Sequence, residues 1–422
     1  MTKKSLRQTI CIILLGLAAL GIGVLLFLQN DKLAVPEIKL DDERYMIQSG
    51  KVLIPAGRPR IPQIVCDEAD EIYQAYFPDG VEKAAAQVVC GEDVYEIDFI
   101  KDKTLGFELQ FGDYYQFVPA FSAQKEITYW SSDDAIATVD KNGEILIRNV
   151  SESGVVITAD DGYNKEELVI TRTIRTPISI YMLAGQSNAE YYYADPQTAT
   201  QAKKGTAYLY NSRLAEFVIE SITNDDGTMK FGNIEASLVN RLYRELGEKV
   251  IIMNTGISGM KIEEFLPEQK GFETIKDSWR NFNTTMQTEW FQERFEPRIK
   301  SYIWVQGESD DWLAPELYME RFLIMHSMLR SPDFGFDYAF ICNVAPRFFR
   351  PNDAQERLAQ AYDDIFMGSR AAFGFTPESG ELREDNLHYT QQGDNVLGDE
   401  IGKTIALVYQ GKSDTLPEGE KD

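Results

Sequence analysis

The stretch I-S-I-Y-M-L-A-G-Q-S-N, residues 178–188, decides the fold of the second half of the chain. Its first seven residues are almost all apolar, which is typical of a strand buried on both faces of a parallel sheet. The small and polar residues that follow indicate a sharp turn. A serine at such a turn can expose its hydroxyl while backbone N–H groups converge beside it. The alternative interpretation is that Ser187 only caps a helix.

Strands and helices alternate along the chain after this stretch. We predict strands at residues 249–254, 301–305 and 338–344, and helices at residues 233–246, 315–330, 354–370 and 390–409. Such alternation is typical of an α/β domain in which helices cover both faces of a parallel sheet. The ligand site of such a sheet lies beyond the carboxyl ends of its strands. We therefore predict an α/β domain over residues 176–412, with its site at that edge.

Two polar motifs follow further strands of the predicted sheet. Residues 256–265 contain the turn around Gly259, whose backbone N–H can bind an oxyanion, although a plain flexible turn is the alternative. Residues 306–310 read Q-G-E-S-D, and amide and carboxylate groups directly after an apolar strand are typical of a functional loop. Here Gln306 can donate to an oxyanion, and Glu308 can orient a histidine or bind a sugar hydroxyl.

The sequence has only two histidines. His326 shares a helical face with Met319 and Phe322, so we predict that it packs in the core. His388 follows Asp385 by three residues. A carboxylate at that spacing can accept the Nδ1–H of the histidine and leave Nε2 to take a proton from a serine. His388 is therefore the candidate base.

In their order along the chain, these motifs resemble the SGNH hydrolases, and among them the sialate O-acetylesterase-like and acetylxylan-esterase-like carbohydrate esterases. The resemblance covers residues 178–410 and rests on G-Q-S-N at 185–188, Q-G-E-x-D at 306–310 and D-x-x-H at 385–388. The block around Gly259 departs from the family pattern at three positions: Ser258, Met260 and Phe265. The resemblance implies a flavodoxin-like three-layer sheet and a serine esterase for acetylated glycans, with no metal and no cofactor.

The resemblance implies a catalytic triad. Ser187 is expected to attack the ester, His388 to accept its proton, and Asp385 to hold the imidazole in place. Glu308 is an alternative or auxiliary acid, because some members of this branch use the glutamate of Q-G-E as the partner of the histidine.

The expected oxyanion hole consists of the N–H groups of Ser187 and Gly259 and the side-chain amide of Gln306. Four further residues are candidates for binding substrate: Gln186, Asn188, Lys261 and Arg347.

Composition limits the function classes. The chain has 422 residues, with 42 Lys and Arg against 67 Asp and Glu, and a net charge of −25. So acidic a surface repels phosphate backbones, which disfavours nucleic-acid binding. Two histidines and four cysteines nearly exclude a zinc site rich in Cys and His. A carbohydrate O-acetylesterase is the favoured function; an O-acetyltransferase with the same serine and a non-catalytic surface adhesin are the alternatives.

The amino terminus has the pattern of a membrane anchor. Residues 8–30 carry no charge, and most are apolar. The length of this run is close to the ~20 residues that a helix needs to span a bilayer. Lys3, Lys4 and Arg7 precede the run, and such residues keep the amino terminus in the cytoplasm. We predict an uncleaved anchor at residues 1–30 with the rest of the chain outside the cell. Secretion after cleavage of a signal peptide is the alternative.

The region between anchor and α/β domain changes character at about residue 60. Residues 31–60 are punctuated by proline and predict a stalk or irregular lead-in. Residues 61–175 consist of short segments rich in Val, Ile, Tyr and Thr, which favours a β-sandwich. Within them, residues 105–174 resemble a bacterial Ig-like domain of group 2. The pattern W-S-S-x-x-x-x-A-T-V starts at Trp130, whose side chain is expected to point inward with those of Ala137, Val139 and Ile157.

Other features of this region leave alternatives open. The sequence does not decide whether residues 61–104 form a second sandwich. Cys66 and Cys90 flank a turn-rich stretch, and they can form a disulfide if the chain is exported. Residues 413–422 are predicted to be a polar tail.

Overall fold

The computed structural model describes, with side chains, residues 108–117, 119, 121, 123–190, 195–210, 219, 221–224 and 227–412. It describes only the backbone of residues 24–28, 37–39, 45–48, 51–55, 63–65, 72–74, 83–90, 93–102, 107, 118, 211 and 220. The chain divides into two compact units, residues 1–175 and residues 176–422.

The described part of the second unit is an α/β domain built on seven strands. The strands are β1 Thr176–Gly185, β2 Ala207–Asn211, β3 Ile219–Ser221, β4 Lys249–Asn254, β5 Phe295–Val305, β6 Tyr338–Cys342 and β7 Ile365–Ser369. Their order in the sheet is β3-β2-β4-β1-β5-β6-β7. All neighbours pair in parallel except β2 and β3, which are antiparallel.

Six helices accompany this sheet among the described residues. They are α1 Ile234–Leu246, α2 Lys270–Met286, α3 Glu289–Gln292, α4 Pro315–Leu329, α5 Phe349–Ala361 and α6 Gln391–Tyr409, with short 3-10 helices at Ile262–Phe265, Glu308–Asp310 and Ala371–Gly374. Helices α1 and α6 pack in one hydrophobic core with Leu183 of β1. On the other face, the ring of Trp304 contacts the rings of Phe265 and Phe322. The domain is therefore the predicted three-layer structure.

The predicted strand at residues 178–184 is confirmed and lies at the centre of the sheet. Its side chains from Ile180 to Ala184 have no solvent exposure, as expected for a strand covered on both faces. The chain builds β2 and β4 on one side of β1, and then β5, β6 and β7 on the other. The carboxyl ends of β1 and β5 therefore meet at the point where the strand order reverses, which is where sheets of this kind bind ligands.

The predicted helix at residues 354–370 is wrong in its second half. Helix α5 ends at Ala361, and Ile365–Ser369 forms strand β7 at the edge of the sheet. We predicted one continuous helix because the connection between α5 and β7 has only three residues. Helix α2 and strand β2 are present where the sequence predicted no element.

Two glycines let α6 lie against α1. A Cβ atom at Gly398 would overlap Ser237 Oγ and the carbonyl oxygen of Ile234. A Cβ at Gly402 would stand 2.6 Å from the Cβ of Arg241. Larger residues would force the helices apart, so these glycines fix how closely the helices approach.

The first unit contains two sheets that share a core. One has Thr128–Ser131, Val155–Asp160, Lys165–Ile174 and Phe107–Gln110, in that order. The other has Val24–Leu28, Lys83–Cys90, Asp93–Asp102, Lys51–Pro55, Tyr45–Gln48, Tyr114–Val118, Glu144–Ile147 and Ala137–Val139. Phe117 and Ile145 of one sheet pack in a single buried cluster with Ile157 and Leu168 of the other. This packing is that of a sandwich; the resemblance to bacterial Ig-like domains stays a prediction.

The prediction that the side chain of Trp130 points inward is wrong. Trp130 is 41% exposed, and its neighbour Tyr129 packs against the core instead. Because alternate residues of a strand face opposite sides, only one of the two can point inward. Ala137 and Ile157 are buried as predicted.

Several predictions concern residues that the structure does not describe or describes only as backbone. Residues 1–30 are described only as the backbone strand Val24–Leu28, which is extended where the sequence favours a spanning helix. The helices within the described ranges are all too short or too polar to cross a membrane. The side chains of Cys66 and Cys90 and the tail at 413–422 lie outside the described residues. Of the lead-in and residues 61–104, the structure describes only strands, among them a sheet of Glu37–Lys39, Gln63–Val65 and Ile72–Gln74.

Candidate active site

The turn after β1 presents Ser187 at the carboxyl end of the sheet. Gly185 has a φ of 143°, and a Cβ atom there would overlap the carbonyl oxygen of Val305 in β5. The N–H of Gln186 donates to that same oxygen across 3.0 Å. Only glycine lets the two strand ends approach this closely, and the turn that follows holds Ser187 with 5% of its surface exposed.

Ser187, His388 and Asp385 form a continuous hydrogen-bonded chain. His388 Nε2 lies 3.1 Å from Ser187 Oγ, and His388 Nδ1 lies 2.8 Å from Asp385 Oδ2. The other carboxylate oxygen of Asp385 accepts the backbone N–H groups of Leu387 and His388. With Nδ1–H donated to Asp385, Nε2 is the acceptor that faces the serine. Serine, base and orienting carboxylate are thus arranged as nucleophilic catalysis requires.

The carboxyl group of Asp385 is held in its charged form. Partial burial raises its pKa, but the hydrogen bonds from the backbone and the imidazole of His388 outweigh burial and lower the pKa below its ordinary value. A carboxylate that stays ionised can stabilise the imidazolium that forms when His388 takes a proton.

Asn188 connects the nucleophile turn to the backbone on both sides of His388. Its Nδ2 donates to the carbonyl oxygen of Leu387 across 3.0 Å, and its Oδ1 accepts the N–H of Tyr389 across 3.2 Å. The same Nδ2 donates to Glu308 Oε1. Asn188 is 5% exposed, and its hydrogen bonds are made inside the protein. These contacts give Asn188 a positioning role, and the prediction that it binds substrate stays a prediction.

Glu308 is buried and contacts Asn188, while both ring nitrogens of His388 are engaged by Asp385 and Ser187. Burial raises the pKa of Glu308 to about 7, although the hydrogen bond from Asn188 and the charge of Arg347 lower it. Its Oε2 is buried and has no hydrogen-bond partner within the described ranges. Of the two acids that the sequence left open, the geometry favours Asp385 as the partner of the histidine.

The turn at Gly259 packs beside the residues that follow Ser187. The N–H of Ser258 donates to Glu190 Oε2 across 2.7 Å, and a Cβ at Gly256 would stand 2.8 Å from the backbone nitrogen of Glu190. Gly259 itself has a φ of 75°, a left-handed conformation that favours glycine. In the part of the chain that the structure describes, neither the N–H of Ser187 nor that of Gly259 donates to a protein acceptor. Both remain available to an oxyanion.

Gln306 does not offer its amide in the way that the sequence predicted. Nε2 donates to Asp310 Oδ2 across 2.5 Å and to the carbonyl oxygen of Met260 across 3.2 Å, which uses both of its hydrogens. Its Oε1 accepts the hydroxyl of Tyr318. The side chain is fully buried. Gln306 therefore supports the residue after Gly259, and in this structure it is not an oxyanion donor.

The remaining candidates also have structural contacts. Gln186 is buried, and its Oε1 accepts the N–H of Ser309 across 3.1 Å, so it holds the turn after β5 and does not face solvent. Lys261 Nζ lies 5.5 Å from the ring centre of Trp312. The guanidinium of Arg347, which is exposed, lies 4.5 Å from the ring centre of Phe348.

Asp310 is a residue of the site to which the sequence analysis gave no role. Its Oδ2 accepts the N–H of Ile262 across 2.7 Å as well as the amide of Gln306, and so ties the turn after β4 to the turn after β5. Its place in the Q-G-E-S-D motif was the only available signal. His326 is buried as predicted, where it contacts the hydroxyl of Tyr302 and the carboxylate of Asp364. No group of three or more His, Cys, Asp or Glu side chains within the described ranges is placed to hold a metal ion.

Comparisons with known proteins place the second unit in a family. The model of the family described as carbohydrate esterase, sialic acid-specific acetylesterase, matches residues 177–407. No curated protein matches the chain.

The solved structures that are similar to the chain include the following three. A protein from Arabidopsis thaliana is 17% identical over 54% of this chain and 97% of its own, with a TM-score of 0.40. A carbohydrate acetylesterase from Xanthomonas citri is 14% identical over 73% of this chain and 74% of its own, with a TM-score of 0.39. A lipase/acylhydrolase from Enterococcus faecalis is 12% identical over 54% of this chain and 95% of its own, with a TM-score of 0.28.

Proposed function

The chain belongs to the sialic acid-specific acetylesterase family of carbohydrate esterases, and on this premise we propose that it is a serine esterase that removes O-acetyl groups from sugars. One observation carries the proposal: Asp385, His388 and Ser187 form an unbroken hydrogen-bonded chain, and among the described residues the N–H groups of Ser187 and Gly259 have no acceptor. A nucleophile, its base and donors for an oxyanion are the parts that hydrolysis of an ester requires.

The first half of the reaction forms an acetyl-enzyme. Ser187 Oγ attacks the carbonyl carbon of the acetyl ester while His388 Nε2 takes the hydroxyl proton. The N–H groups of Ser187 and Gly259 bind the oxygen that becomes negative, and Asp385 stabilises the imidazolium. The tetrahedral intermediate then expels the sugar oxygen, which receives the proton from His388 and leaves as a hydroxyl group.

The second half of the reaction restores the enzyme. Water gives a proton to His388 Nε2 as its oxygen attacks the acetyl-enzyme, and the same N–H groups bind the second oxyanion. The proton returns to Ser187 Oγ as the bond to the acetyl group breaks, and acetate leaves.

We also propose that the esterase acts outside the cytoplasm and is held at the membrane by residues 1–30. The support for this proposal is the uncharged, mostly apolar run at residues 8–30, preceded by Lys3, Lys4 and Arg7. The substrate class is acetylated sugars that are accessible from outside the cell.

The test is acetate release by the full chain from an aryl acetate and from a panel of acetylated glycans, compared with Ser187→Ala. Ser327→Ala is the matched control, because that serine lies on α4 and bonds only a backbone carbonyl of its own helix. Release that is lost in Ser187→Ala and kept in Ser327→Ala supports the proposal. Equal release by Ser187→Ala and the unmodified chain would refute it. Acetyl transfer to an added sugar without net hydrolysis would replace the esterase with a transferase.

A further inference from the structure

A patch of two exposed aromatic rings and two half-buried cations lies at the carboxyl edge of the sheet. We call it the aromatic rim and define it as Lys261, Trp312, Phe349 and Arg350. Trp312 is 58% exposed and Phe349 is 62% exposed. Large apolar side chains that are grouped and this open to solvent mark a binding surface more often than a structural one.

The aromatic rim begins next to the proposed catalytic groups. Lys261 follows Gly259 by two residues, a distance of at most about 7 Å along the backbone. Trp312 follows Glu308 by four residues at the turn after β5. The N–H of Ile262 donates to Asp310, so these two turns are fastened together. The rim therefore extends outward from the edge of the oxyanion site.

Contacts between its members hold the aromatic rim together. Lys261 Nζ lies 5.5 Å from the ring centre of Trp312. Arg350 donates to the carbonyl oxygen of Trp312 across 2.9 Å, and its guanidinium lies 5.5 Å from the ring centre of Phe349. These cation–π contacts and the hydrogen bond orient the two rings before any ligand is present. A preformed surface loses less conformational freedom on binding.

The chemistry of the rim fits a sugar. The C–H face of a pyranose ring is apolar and packs on aromatic rings, while its hydroxyl oxygens accept hydrogen bonds from ammonium and guanidinium groups. The rim offers both kinds of group side by side. Another exposed tryptophan with a cation over its ring is Trp290, with Arg294 at 5.4 Å; it lies on α3, away from the turns that carry the proposed catalytic groups.

We propose that the aromatic rim binds sugar units of a glycan chain beyond the acetylated unit, so that the substrate is an acetylated oligosaccharide or polysaccharide and not a free monosaccharide. The position of the rim beside the reacting ester rests on the proposed function. Binding of the glycan chain to the rim does not require hydrolysis, so it can be measured separately.

The test is calorimetric titration of the full chain with unacetylated xylohexaose, chitohexaose and a galacturonate hexamer, each compared with its monosaccharide. We expect at least one hexamer to bind at least tenfold more tightly than its monosaccharide. Trp312→Ala and Phe349→Ala should each weaken that binding at least tenfold. Trp290→Ala is the matched control and should bind the hexamer as the unmodified chain does.

Two results would overturn the proposal. One is that no hexamer binds better than its monosaccharide; the other is that Trp312→Ala and Phe349→Ala bind the hexamer with unchanged affinity. A change of oligomeric state in Trp312→Ala with unchanged glycan affinity would assign the rim to contact with a second copy of the chain. No step of this experiment measures acetate release. A failure of glycan binding by the aromatic rim is therefore distinguished from a failure of the proposed esterase activity. Folding of each variant is checked by circular dichroism.

Discussion

The side-chain amide of Asn188 donates to Glu308 Oε1 across 2.5 Å, and this bond joins the residue after the proposed nucleophile to the turn after β5. The same amide group bonds the backbone of Leu387 and Tyr389, on both sides of His388. Three separate turns are therefore held in register by one buried side chain. We expect the distance between His388 and Ser187 to depend on it.

Replacement of Asn188 by Ala should lower kcat about 100-fold and leave KM within about threefold. The loss follows because displacement of a catalytic base by about 1 Å can cost that much in rate, while the substrate-binding groups remain in place. Steady-state kinetics on an aryl acetate would measure the two constants. Asn395→Ala, which removes an asparagine of α6 whose amide bonds the carbonyl oxygen of Thr198, is the control. A rise in KM with unchanged kcat would show that Asn188 binds substrate instead.

Asp385→Asn and Glu308→Gln should separate the two acids. Asp385→Asn removes the charge that stabilises the His388 imidazolium and should lower kcat about 10³–10⁴-fold. Glu308→Gln keeps an oxygen that can accept from Asn188, so we expect a loss of less than about tenfold. The measurement is kcat of both variants at one pH. A larger loss in Glu308→Gln than in Asp385→Asn would reverse the assignment.

Stability should fall with rising pH because of Glu308. Burial raises its pKa from 4.5 to about 7 in the folded chain. Below pH 4.5 the carboxyl group of Glu308 is protonated in both the folded and the unfolded chain, and its contribution to stability is fully present. That contribution is lost as the pH rises to 7, because the folded state then holds a buried carboxylate, at a cost of about 3 kcal/mol.

The check is urea unfolding at pH 4.5 and at pH 8. Between pH 4.5 and pH 8 the free energy of unfolding of the unmodified chain should fall relative to that of Glu308→Gln, because glutamine does not ionise. Glu378→Gln, at an exposed position, is the control and should follow the unmodified chain. A constant difference between the unmodified chain and Glu308→Gln would argue against ionisation of Glu308 in this range.

Gly398→Ala should destabilise the second unit by about 1–3 kcal/mol. The added methyl group would overlap Ser237 and the backbone of Ile234, and overpacking of this kind typically costs that much. Differential scanning calorimetry should show a lower Tm for that unit, by about 2–4 °C per kcal/mol. At Gly374 a Cβ would meet nothing within 4 Å, so Gly374→Ala should leave the Tm nearly unchanged. An unchanged Tm for Gly398→Ala would mean that α1 and α6 pack less closely than described.

Sequence patterns predicted those parts of the molecule that depend on local signals. The apolar run of β1 identified a central strand because burial on both faces demands it. The pairing of Asp385 with His388 follows from a spacing of three residues within one turn. The end of α5 was missed because Ile365–Ser369 is a short edge strand, and a segment of that length has no distinctive periodicity.

The role of Gln306 could not be predicted from its neighbours in sequence. Its side-chain amide is oriented by hydrogen bonds with Tyr318 on α4, Met260 after β4, and Asp310. Only the folded domain brings these groups together. The same is true of Asn188, whose partners lie 120 and about 200 positions away. Motifs identified which residues gather at the site, and tertiary contacts decide which atoms face the substrate.

The proposed nucleophile and base are 201 positions apart, and the base lies just before α6. A nascent chain therefore holds its serine long before the histidine is made. Cleavage of esters by the proposed triad can begin only after the turn that holds His388 has joined the turn that holds Ser187. During refolding, hydrolysis of a chromogenic ester would thus report when these two distant turns meet. Fragments that end before residue 388 would stay silent however well they fold.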